Sequence, residues 1–138
     1  MVASLAGGRD ERNLAYARLN LSAALLALGD HEKARSHLRA GWAQAPLFDL
    51  QPYFADYLAL LAGLDGRFDA AARLTGYADA GNARVGEREP NEAAAHARAV
   101  QLARAALGDG AFDRLHAEGA VLRDADVEAL AFGTHDAA

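Results

Sequence analysis

One pattern occurs twice in this chain, and it restricts the fold more than any other feature. Ala24-Leu25-Leu26-Ala27-Leu28-Gly29-Asp30-His31-Glu32-Lys33-Ala34-Arg35 is echoed by Leu61-Ala62-Gly63-Leu64-Asp65-Gly66-Arg67-Phe68-Asp69-Ala70-Ala71-Ala72. Each copy ends a largely apolar run on a glycine turn and puts an alanine five positions after the glycine, Ala34 after Gly29 and Ala71 after Gly66. Glycine enters the left-handed conformation that closes a helix without steric cost. A small side chain at the later position lets the second helix cross closely over the first. Two helices joined in this way bury an apolar stripe that neither buries alone, and neighbouring pairs complete the core.

Composition agrees with helices alone. The hydrophobic fraction is 52%, much of it alanine, the strongest helix former. Isoleucine is absent, and valine and threonine occur only singly, so strand content should be close to nil. At 138 residues the chain suffices for one domain. The net charge of −5 argues against direct nucleic-acid contact, which needs a basic patch. No cysteine is present, so disulfide and thiolate chemistry are excluded. No apolar run reaches the length of a membrane span, and the N-terminal segment lacks the positive flank of a signal peptide. A cytoplasmic location is the expectation.

Helical periodicity starts near Asp10, with Leu14, Ala17, Leu21, Ala24, Leu25 and Leu28 at three- and four-residue steps. Asp30 is placed to cap a second helix carrying Ala34, Leu38 and Trp42, which Pro46 closes. A third helix is predicted from Asp49 to Leu64, with Pro52 in its first turn, and a fourth from Arg67 to Ala80. Residues 81–89 read as a loop. A fifth helix runs from Pro90 to Leu107, Gly108-Asp109-Gly110 breaks it, and two short helices follow over 111–118 and 124–132. The expected organisation is an unstructured segment over 1–9, one helical-repeat domain over 10–132, and a frayed tail over 133–138. Short turns should keep consecutive helices antiparallel and adjacent.

The spacing of Leu21, Gly29, Ala34, Leu38 and Pro46 resembles a tetratricopeptide repeat over about residues 15–48, and Leu58, Gly66 and Ala71 match it over about residues 52–85. The two glycines lie 37 residues apart, slightly more than the usual period of about 34. The C-terminal half carries a narrower resemblance. Gly66-Arg67-Phe68-Asp69-Ala70-Ala71-Ala72-Arg73-Leu74-Thr75-Gly76 is similar to the turn and helix that close the repeat region of large bacterial ATP-binding regulators, including LuxR-type transcriptional activators. Arg88-Glu89-Pro90, Ala103-Arg104-Ala105-Ala106-Leu107-Gly108, Ala111-Phe112, Ala117-Glu118-Gly119 and Leu122 to Leu130 continue the likeness. Thr75, where leucine is usual, and Tyr77 depart from it. The resemblance implies an all-α tetratricopeptide-like superhelix of about three antiparallel pairs plus a terminal helix. It also implies the C-terminal end, or a free-standing relative, of such a regulator.

Candidate chemistry is sparse. His31, His37, His96, His116 and His135 lack the short, defined spacing of a zinc site, so no metal is expected. Acid pairs such as Asp10-Glu11, Glu87-Glu89 and Asp124-Asp126 fit helix starts better than acid–base catalysis. No phosphate loop, dinucleotide fingerprint or nucleophile elbow is present, so neither an enzyme nor a cofactor is expected. Aromatic side chains carry the functional reading. In the repeat register Tyr16, Leu19, Asn20 and Ala23 face the concave side of the first pair, and Tyr53, Asp56, Tyr57 and Leu60 that of the second. Such a groove suits a protein or peptide partner, with a small-molecule inducer in a tyrosine-lined pocket as the alternative. Phe54 and Trp42 are expected in packing between helices, with packing of one or two of the tyrosines as the alternative to the groove. Chaperone-binding repeats hold a peptide carboxylate with lysines and asparagines; here Asn20 has Leu19 and Ala23 beside it and no lysine, and Arg18 should point elsewhere. If the chain is a piece of a longer one, the uncovered Leu/Ala face of its first pair is expected to favour a homodimer.

Ala34→Asp should unfold the first pair, at a cost on the order of 3 kcal/mol, because it buries an unpaired charge where two helices cross. A thermal melt unmoved by the substitution would remove the repeat register.

Overall fold

A computed structural model describes the backbone of residues 2–132 and the side chains of residues 10–132. Among the described residues the chain is all-α, with seven α-helices and no strand: α1 (Val2–Leu28), α2 (His31–Gln44), α3 (Gln51–Leu64), α4 (Phe68–Val85), α5 (Pro90–Leu107), α6 (Asp109–Gly119) and α7 (Asp124–Phe132). A 3-10 turn, Ala45–Phe48, links α2 to α3 and carries Pro46.

The repeated glycine turn forms twice with the same hydrogen bonds. After α1, Asp30 N–H donates to the Leu25 carbonyl at 2.9 Å and Gly29 N–H to that of Leu26 at 3.2 Å. After α3, Arg67 N–H donates to Ala62 at 2.8 Å and Gly66 N–H to Gly63 at 3.2 Å. Both are Schellman closures, and both glycines take a positive φ, 85° and 81°. Asp30 caps α2 by accepting from Lys33 N–H at 3.3 Å. Ala34 and Ala71, the small residues set by each turn, are 0% exposed.

α3 is the axis of the molecule. From Pro52 to Gly63 every residue except Tyr53 is buried, because α4 and α5 pack along it while α1, α2 and α7 close the remaining sides. A helix apolar all round is stable only when surrounded in this way. Phe54 is fully buried, and Trp42 of α2 meets the Tyr77 ring of α4 edge-on at 6.2 Å, so both pack between helices as expected. α1 is the end helix, with Leu14 and Leu21 44% and 43% exposed. α7 is tied down at its C-terminus, where Arg67 donates to the carbonyls of Leu130 and Ala131 at 2.9 and 3.0 Å.

Three boundaries and one packing relation differ from expectation. α1 is helical from Val2, not from about Asp10, since adding a turn to a formed helix costs little. α4 runs to Val85, so most of the expected 81–89 loop is helix; Gly81 and Asn82 are buried, and packing outweighs their weak propensity. α6 starts at Asp109, leaving Gly108 alone as the break. The third pair also does not copy the first two, because α6 packs mainly on α4 and little on α5. The tail expected over 133–138 lies outside the described residues.

The α4–α6 contact rests on two glycines. A Cβ on Gly76 would overlap the carbonyl oxygen of His116, and one on Gly119 would overlap that of Arg73. Backbone thus meets backbone at this crossing. Gly119→Ala should cost about 2 kcal/mol by forcing the helices apart, whereas Gly110→Ala, whose Cβ meets nothing, should add up to ~1 kcal/mol. Urea midpoints of the two variants moving in the same direction would refute this account.

Candidate functional site

α1, α3 and α5 lie side by side, with α3 as the floor of a trough and the outer helices as its walls. At one end a cleft of about 330 Å³ is lined by Tyr16, Leu19 and Asn20 of α1, Tyr53 of α3, and residues 89–92 at the start of α5. At the other an apolar cleft of about 490 Å³ lies between Ala23, Leu26 and Ala27 of α1, Leu60 and Leu64 of α3, and Ala94 and Ala95 of α5. Asn91 borders both clefts, so they adjoin at the start of α5. Arg98 stands on the rim of the apolar end, and Leu28 beside it is 80% exposed.

Of the seven candidate residues, the trough brings together Tyr16, Asn20, Ala23 and Tyr53, with Leu19 beneath them in the core at 3% exposed. Tyr57 contributes an edge to the apolar end but is only 1% exposed, and Asp56 is 0% exposed. The open orientation expected for these two is therefore corrected. Both lie beneath the start of α5 and the loop before it, which cover the second pair. Tyr57 Oη donates to Glu92 Oε2 at 2.5 Å. Asp56 accepts from Arg88 Nε at 3.0 and 3.2 Å.

Arg88 also donates through Nη2 to Asp79 Oδ1 at 2.7 Å, linking the two carboxylates. Asp79 Oδ2 further meets His116 Nε2 at 2.7 Å, and His96 Nε2 lies 2.9 Å from Oδ1. The His96 contact is close but not aligned as a hydrogen bond, since this nitrogen otherwise has no partner. Five side chains from α3, α4, α5, α6 and the 86–89 loop thus form one network. Histidines 96 and 116, scattered along the sequence, converge here. Among the described residues no group of three or more His, Asp or Glu side chains is arranged to hold a metal, and here a guanidinium occupies the shared carboxylate. His37 instead meets Arg18 at 3.1 Å, which turns Arg18 toward α2, and His31 meets Asp65. His135 lies outside the described residues.

The network pulls its acids apart. Burial raises the Asp56 carboxyl to about 6 despite the opposing Arg88 hydrogen bond. Burial also acts on Asp79, but the close approach of His96 and the hydrogen bonds from His116 and Arg88 outweigh it and hold that carboxyl below the usual range. The Tyr57 phenol is pushed up by burial and by its bond to Glu92.

Residues 89–92, Ala94 and Arg98 are not reached by reasoning from two repeats, yet the sequence holds a signal for them. The 37-residue step that carries Tyr16 to Tyr53 and Asn20 to Tyr57 falls next on Pro90 and Ala94. Both line the trough.

A carboxyl that keeps its proton to about pH 6 when folded but only to about pH 4 when unfolded makes the folded state bind more protons in that window. Stability from Asp56 therefore falls as pH rises through it. The difference in urea midpoint between Asp56→Asn and the parent should shift in favour of the variant from about pH 4 to about pH 6; a constant difference would be inconsistent with a raised Asp56. Compared with protein-family models, curated proteins and solved structures, the chain matches none at a significant level.

Proposed function

We propose that this chain is a tetratricopeptide-like interaction module that holds a polypeptide segment in the α1–α3–α5 trough. The observation that carries the reading is the trough itself, two adjoining open clefts of which one is largely apolar and the other tyrosine-lined. An amphipathic segment lays an apolar face into such a groove and keeps its polar face in water. Tyrosines supply large contact area with few rotatable bonds and a hydroxyl for orientation. The two identical Schellman turns and the 37-residue step support a superhelical stack for the first two pairs. The resemblance to the repeat region of ATP-binding regulators extends the proposal. Occupancy of the trough would bias an effector domain of the same kind of regulator, in a cytoplasmic setting. No helix among the described residues is long and apolar enough to cross a membrane. A small-molecule inducer is the second reading, favoured by the tyrosine end, whose volume of about 330 Å³ falls in the range of ligand pockets.

Selection of helical peptides displayed against the immobilised chain tests the first reading. Enriched sequences should carry leucine-sized residues at three- and four-residue steps. Ala27→Glu and Ala94→Glu, at exposed positions on opposite walls, should each weaken their binding about tenfold without moving the melt. Tyr53→Ala should likewise weaken binding and leave the melt nearly intact. Peptides that bind all three variants as they bind the parent would place recognition elsewhere.

A further inference from the structure

The tyrosine end of the trough holds more negative charge than the fold itself uses. Glu92 is only 6% exposed, yet its one hydrogen-bond partner is the neutral hydroxyl of Tyr57, and among the described residues no cation pairs with it or with Glu89. Arg88, adjacent in sequence to Glu89, is turned away and spent on Asp56 and Asp79. A buried carboxylate without a cation is costly, and the N-terminus of α5, where Glu92 occupies the first turn, offsets only part of that cost. Both glutamates line the same cleft as Tyr16 of α1 and Tyr53 of α3. The Tyr53 phenol is raised by burial and then by its neighbours Tyr16, Glu89 and Glu92, of which the two glutamates are negative at neutral pH. Tyr16 already attracts a guanidinium: Arg12 lies over its ring at 5.9 Å, outside the cleft lining.

We infer that this cleft, between Tyr16, Tyr53, Glu89 and Glu92, receives a basic side chain of the segment bound in the trough. The inference rests on the interaction-module reading. Two carboxylates with two tyrosine rings beside them attract a guanidinium or ammonium more than they attract any neutral group. The amide side chains of Asn20 and Asn91 on the rim offer further acceptors. The apolar end takes the leucine-like part of the same segment, so the occupant is an amphipathic helix or strand with arginine or lysine at one end.

Two arms test this on the whole chain. In the first, n-butylguanidinium, n-butanol and pentanoate are titrated while the ring protons of Tyr16 and Tyr53 are followed by NMR. Saturating shifts with the guanidinium alone, weakened about fivefold in Glu92→Gln and in Glu89→Gln, are expected. In Glu92→Gln the new amide oxygen still accepts from the Tyr57 hydroxyl, and Glu89 is exposed, so neither substitution should unfold the chain. Equal shifts with pentanoate, or shifts unchanged in both variants, overturn the inference. In the second arm, two leucine-bearing amphipathic peptides of about four helical turns, differing only in a terminal arginine or norleucine, are compared. Preference for arginine that Glu92→Gln removes is the expected result. Peptides that bind without that preference overturn the basic-side-chain assignment and leave the interaction reading standing. Guanidinium binding with neither peptide bound overturns both that reading and the peptide source, and assigns the cleft to a free organic cation.

Discussion

Burial of α3 is the constraint on which the rest depends. An apolar helix of fourteen residues must be covered on every side, and α1, α2, α4, α5 and α7 do so together. Alanine makes this feasible: Ala55, Ala59, Ala62, Ala71, Ala78, Ala95, Ala99 and Ala103 are all buried and let the helices approach closely. Each adds little apolar area alone, so the stabilisation comes from many close contacts and not from a few large side chains. Where alanine would still be too large, at the α4–α6 crossing, glycine replaces it.

The polar network adds orientation to this packing. Arg88 joins Asp56 of α3 to Asp79 of α4, and His96 and His116 bring α5 and α6 to the same carboxylate. Buried ion pairs contribute less to stability than their geometry suggests, because desolvation consumes most of the attraction. Their effect here is positional. With Arg88 anchored, the first turn of α5 lies over Tyr57, and residues 89–92 become a wall of the trough. The same anchoring turns Arg88 away from its sequence neighbour Glu89. Fold and site are coupled at this one arginine.

Much of the architecture is legible in local sequence. Gly29 and Gly66 mark the turns, Asp30 the cap and Pro90 the start of α5, each through short-range chemistry that tertiary context rarely overrides. The alanines after each turn are buried as expected because helix pairs of this kind leave no room for anything larger. Gly81 and Asn82 mislead for the same reason that they usually inform: their propensity is weak, but buried contacts dominate it. Of the candidate site, the α1 wall is the part that local pattern places well. Asp56 and Tyr57 share a helix face with Tyr53, but that face is partly roofed by a third helix, and no periodicity within α3 reveals it.

The sequence by itself determined helices, their turns and the side of each that is apolar, since these follow from steps of three and four residues and from the backbone freedom of glycine. Only the tertiary structure decided which helices become neighbours. It set α6 on α4, gathered Asp56, Asp79, Arg88, His96 and His116 from across the chain, and left Glu92 lining a cleft with no cationic partner among the described residues. Those outcomes depend on contacts between residues distant in sequence, whose geometry no local pattern encodes.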